Sequence, residues 1–121
     1  MIEYTRELMN ADCEIIDFVR PLVIRVIGDK LIETRLWERI KEKKTKTVYD
    51  LTTEACTKIY CIQYSNKQHI DYDLSWKIAF EIIIKELQKI FVDSIIYSEN
   101  KEVYDIHDNV IIHRLIIVDW S

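Results

Sequence analysis

Glycine and proline occur once each in 121 residues, at Gly28 and Pro21. One glycine excludes a Gly-rich phosphate cradle and a nucleophile elbow, since both need several positions without a Cβ. No apolar run reaches the length of a membrane span, and Ile2, Glu3 and Tyr4 lack the basic and apolar regions of a signal peptide, so the chain is expected to stay where it is made. Positive charge is short as well: 17 Lys and Arg against 21 Asp and Glu leave a net charge of −4. Phosphate backbones are held by a positive field, so direct nucleic-acid recognition is not expected. Cys13, Cys56 and Cys61 are odd in number and follow no CxxC spacing, the usage of reduced, structural thiols in a cytoplasm.

What remains is globular. The chain is 49% hydrophobic and 31% charged, and its length suits one domain over residues 1–121. A fold of this size buries roughly two-thirds of its unfolded surface, so it needs no disulfide or metal staple.

The spacing of Leu8, Ala11, Ile15, Ile16, Phe18 and Val19 predicts a helix over residues 5–19, closed by Pro21. The β-branched run 22–27, then Gly28 and Asp29, predicts a strand and a type II′ hairpin turn, with a return strand to about Arg35 and a short helical or loop segment beyond. A helix over 31–44 competes, because Leu36 and Ile40 continue a stripe begun at Ile32. Residues 45–65 have strand composition, a polar turn occupies 65–68, and residues 69–74 continue briefly as strand.

The clearest element is a helix over about 75–91, capped by Asp73 or Ser75. Trp76, Ala79, Phe80, Ile83, Leu87, Ile90 and Phe91 form its apolar face, and Glu81 and Lys85 are spaced as an i,i+4 pair. Ile78, Ile82 and Ile84 widen that face, implying cover by the chain's own sheet and by a neighbouring subunit. A meander follows, with strands at 94–98, 103–106 and 110–118 and turns at 99–101 and 107–109. The last strand is apolar on both faces, as a central strand, or an edge strand covered by a partner, would be. The expected class is therefore α+β: a mixed or antiparallel sheet, an N-terminal helix, one long amphipathic helix packed on the sheet and a C-terminal β-meander.

Candidate chemistry is thin. His69, Asp71 and Asp73 would share one side of a strand and could converge on a metal, but a solvated strand face explains them more simply. Cys56 or Cys61 with His69, His107 or His113 could form a nucleophilic pair, yet no local motif surrounds any cysteine. Lys41, Lys43, Lys44 and Lys46 could touch nucleic acid or an acidic partner, but a solvated loop or helix end explains them more simply. No catalytic residue, cofactor or metal is assigned. Trp37, Ile82 and Trp120 are the candidate subunit or partner interface; the penultimate Trp120 is either tucked onto the domain or anchored in a partner.

Residues 60–120 resemble the small tail-completion, or tail-terminator, proteins of phages and phage-derived tail particles. The resemblance rests on the strand Tyr60, Cys61, Ile62, Gln63, Tyr64, a polar loop, the long amphipathic helix, a hairpin, and a final strand opening at Asp108, Asn109, Val110 and Ile111. Asn109 stands where the family carries glycine, and residues 31–53 have no counterpart. The abundance of isoleucine and lysine fits the AT-rich genomes of many such elements. The resemblance implies a non-enzymatic, homo-oligomeric ring that closes a tail tube and meets connector proteins, assembled in the host cytoplasm and then part of the particle. The alternative is a small cytoplasmic inhibitor, an immunity or anti-defence protein whose acidity would quicken capture of a basic partner.

Overall fold

The computed structural model describes residues 2–52 and 71–121. Among them, in order, come α1 (Arg6–Met9), α2 (Cys13–Val23), α3 (Leu31–Lys41), β1 (Lys46–Asp50), α4 (Tyr72–Ile90), β2 (Ile95–Tyr104) and β3 (Val110–Asp119). A π-helical stretch, Ile24–Gly28, prolongs α2. The class is α+β as expected, with an N-terminal helix, one long helix and an antiparallel sheet. The expected strand at 60–64, the turn at 65–68, His69, Cys56 and Cys61 lie outside the described residues.

The first third differs from expectation. The single helix predicted over 5–19 is two, because Thr5 caps a short first turn through Leu8 N–H and the chain restarts at Cys13. Pro21 sits inside α2 instead of ending it. An internal proline costs about 3 kcal/mol. Phe18, Val19, Leu22 and Val23 are all buried around it, and each such side chain contributes roughly 1.5–3 kcal/mol, so packing outweighs the lost bond. The predicted strand at 22–27 is therefore helical. Gly28 has no positive φ and makes no hairpin; Lys30, at φ 54°, turns the chain into α3. The competing helix over 31–44 is the observed one, closing at Lys41. Lys43 (φ 60°) donates from N–H to Ile40 O and Lys44 to Arg39 O, a left-handed stop that satisfies the last carbonyls.

Strand order is β1-β3-β2, both pairs antiparallel, so β3 is central, one of the two placements its two-sided pattern allows. Ile116 lies opposite Tyr49 and Ser98, and Val118 opposite Thr47 and Ile96. That face joins one buried cluster with Ile78, Ile82 and Ile83 of α4 and Phe18, Val19 and Leu22 of α2. The Phe18 ring meets Trp76 edge-on at 5.3 Å. The broad apolar face of α4 is thus covered on two sides by its own chain, α2 on one and the sheet on the other.

α4 starts earlier than expected because Asp71, not Asp73 or Ser75, is its cap: the carboxylate accepts from Leu74 N–H at 3.0 Å. At the other end the Gln88 amide donates to Phe91 O (3.1 Å) and Ser94 O (2.9 Å), aiming the chain into β2. The turn expected at 99–101 does not exist. β2 runs unbroken through it, held by pairing with β3 from Ile95–Asp119 to Tyr104–Val110. The meander is in fact one long hairpin, with β1 completing the sheet.

Candidate assembly surface

Alternation along the strands puts odd and even residues of β3 on opposite faces. Even positions meet the helices. The odd ones build an outer face in cross-strand rows: Val48–Ile117–Tyr97, then Asp50–Leu115–Glu99, with Ile111–Val103 further along the hairpin. Val48, Ile95, Tyr97 and Ile111 on this face are exposed, although Ile117 in the middle row is buried. The hairpin continues beyond the helices, and at its tip Tyr104, Val110 and Ile106 are exposed, Ile106 to 93%.

The tip is nevertheless ordered locally. Asp105 accepts from His107 N–H (2.8 Å) and Asn109 N–H (2.9 Å) through one oxygen, and from the Asn109 side-chain amide (3.2 Å) through the other. These bonds, the Asn109 backbone one foremost, hold its carboxyl below the usual range. Asp108 carries the positive φ (59°), one residue before the position at which the family resemblance expects glycine.

A polar clamp ties β1 to β3. His113 Nδ1 lies 2.6 Å from Asp50 Oδ2, while Asp50 Oδ1 accepts from Thr52 N–H (3.0 Å) and Oγ1 (2.8 Å). Thr52 Oγ1 in turn accepts from Arg114 N–H at 2.8 Å. With its hydroxyl engaged twice, Thr52 fastens the end of β1 to β3. On the inner face the enclosed Arg114 guanidinium lies 3.3 Å from Asp73 and 5.7 Å over the Trp76 ring. A cleft of about 590 Å³ opens beside it between α4 and β2, walled by Phe80, Ile84, Lys77 and Lys85 and by Ser98 and Asn100.

Of the three predicted interface residues, only Trp37 is exposed, to 52%, on α3 beside β1. Ile82 is a correction: at 0% exposure it belongs to the chain's own core and offers nothing to a second copy. Trp120 is tucked onto the domain, its side chain packed against the core and its backbone N–H donating to Thr45 O at 2.9 Å. The strand expected over 69–74 is corrected from residue 71 onward, because Asp71 caps α4 and Asp73 lies in its first turn, while His69 lies outside the described residues. No group of three metal-ligating side chains occurs among the described residues. Cys13 is exposed at the start of α2. The lysines at 41, 43, 44 and 46 form the exposed end of α3 and entry to β1. Among the described residues, no helix is long and apolar enough to cross a membrane. The outer sheet face itself was missed by sequence reasoning; its signal was the odd-numbered apolar set Ile95, Tyr97, Ile111, Leu115 and Ile117.

Comparisons with protein-family models, curated proteins and solved structures return no match to this chain.

Proposed function

We propose that this chain is an assembly subunit, which acts by packing against copies of itself and against neighbouring proteins of a larger particle. The observation that carries the reading is the set of exposed apolar side chains at the two ends of the sheet, Val48, Ile95 and Tyr97 on the outer face and Tyr104, Ile106, Val110 and Ile111 towards the hairpin tip, with the charged Glu99 and Lys101 between them. Exposed apolar patches mark contact sites in soluble proteins. The resemblance of residues 60–120 to tail-completion proteins supplies the proposed setting: a non-catalytic ring closing the tube of a phage tail or tail-like particle. A ring needs two different surfaces on each copy, because neighbours meet head to tail. The outer face with its hairpin supports one of them, and Trp37 on the α3 side supports the other.

Light scattering after size exclusion, across a range of concentrations and with negative-stain microscopy of the heaviest peak, tests this. Rings of defined size are the expected result. A monomer at every concentration would reject it, and capture of one stoichiometric enzyme from the native host would then favour the inhibitor alternative.

A further inference from the structure

Among the described residues a second feature of the sheet is unpaired, the outer edge of β2. β2 pairs only with β3 among the described residues and runs ten residues without proline, glycine or a bulge. Long, flat, open edges are templates for another strand. We propose that the occupant is β2 of a second copy, paired antiparallel about a two-fold axis through Asn100, joining two three-stranded sheets into one of six. The inference rests on the assembly reading and names one contact within it. Because a two-fold contact joins copies in pairs, it links two subunits, or two rings, and does not itself close a ring.

The register follows from symmetry and charge. A two-fold axis normal to the sheet keeps outer face on outer face, so only residues of the same parity can lie opposite one another. Centred on Asn100, each Glu99 meets Lys101 of the partner subunit, twice over. Tyr97 then meets Val103 of the partner subunit on the same face, an aromatic against a β-branched side chain. On the face turned to α4, Ile96 meets Tyr104 of the partner subunit, and Ser98 meets Glu102 of the partner subunit. Ser98 lines the cleft whose α4 wall carries Lys77, Glu81 and Lys85, so the incoming carboxylate meets a wall of mixed charge and the register is set by the Glu99–Lys101 pairs. Sliding one step either way centres the axis on Glu99 or on Lys101. Either shift sets like charges face to face, which cross-strand pairs penalise. Glu99, Asn100, Lys101 and Glu102 are all exposed in the single chain, so the whole complementary set is available.

Sedimentation of the full chain, with three variants, tests the pairing. Lys101→Glu puts Glu opposite Glu in both pairs and should weaken dimerisation by about tenfold or more. Adding Glu99→Lys to it restores opposite charges in exchanged places and should restore dimerisation. Asn100→Cys places two thiols across the axis, where Cα atoms about 4.5–5.5 Å apart suit a disulfide. Mild oxidation should then yield a dimer whose cross-link maps to residue 100 in both chains. Oligomers that ignore Lys101→Glu and form no such cross-link would overturn this inference and leave the assembly reading standing. A monomer at every concentration would overturn both.

Discussion

The two faces of one small sheet carry similar apolar side chains and meet different fates. Ile116 and Val118 of β3 point at α4 and are enclosed with Ile82 and Phe18. On the outer face, or a few residues along the hairpin, Tyr97, Ile111 and Ile106 remain exposed, although Ile117 beside Tyr97 is buried. The difference lies in what stands above the strands: α4 and α2 cover the inner face, and the hairpin outruns them. Hydrophobicity alone therefore does not separate residues that hold this fold together from residues free to hold something else.

The sharpest way to break that contrast is to truncate one residue on each side. Ile82→Ala should cost about 2–5 kcal/mol, the penalty of a core cavity, read from urea unfolding. Ile106→Ala should stay within about 0.5 kcal/mol of the parent by the same measurement, as an exposed surface substitution does. An equal loss at both sites would mean that the hairpin tip is part of the core.

Next in size, Tyr97→Glu should leave the urea midpoint nearly unchanged while abolishing self-association in light scattering. If association survived it, the outer face would be surface and not interface. Loss of the fold instead would place Tyr97 with the core residues.

The turn at the hairpin tip should respond more locally. Asp105→Ala should speed exchange of the His107 and Asn109 amides at neutral pH and leave the Ile82 amide alone. The pH dependence has a definite sign. The folded carboxyl titrates below its ordinary value, so its contribution is complete above pH ~3.9 and is lost as pH falls through the depressed folded value. Protection of the turn amides, taken relative to their intrinsic exchange rate at each pH, should fall only at the acid end.

The smallest effect belongs to Glu81. Burial raises its pKa first, and the nearby charge of Glu7 adds to that. A raised carboxyl costs stability as pH rises from about 4.3 through the folded value, since the folded state must give up a proton it prefers to keep. Glu81→Gln should therefore raise the melting temperature slightly at pH 7 and not at pH 3. Its expected partner Lys85 instead sits 2.9 Å from Glu3, which leaves Glu81 without that relief.

Residue by residue, legibility tracked how regular the burial is. α4 repeats its apolar positions for five turns and β3 is apolar on both faces, so each announced its type and its place. The run from Val23 to Ile27 is too short for periodicity to separate strand from helix, and its β-branched composition pointed the wrong way. β2 failed for the opposite reason. Its middle, Ser98 to Lys101, faces water, so no side-chain pattern marks a strand that backbone bonding to β3 alone maintains. The interface guess failed at Ile82 because a wide apolar face says that cover exists without saying which chain provides it.

Composition and periodicity by themselves determined an α+β domain with one long buried helix and a central final strand, because those features are repeated local statements about one-sided or two-sided burial. Tertiary structure decided that Pro21 stays inside a helix, that α2 covers the second flank of α4, and that, among the described residues, β2 pairs along one edge only while Val48, Ile95 and Tyr97 stay exposed on the outer face. Each of those outcomes depends on contacts between segments far apart in the chain, and the free energy of such contacts is written in no local pattern.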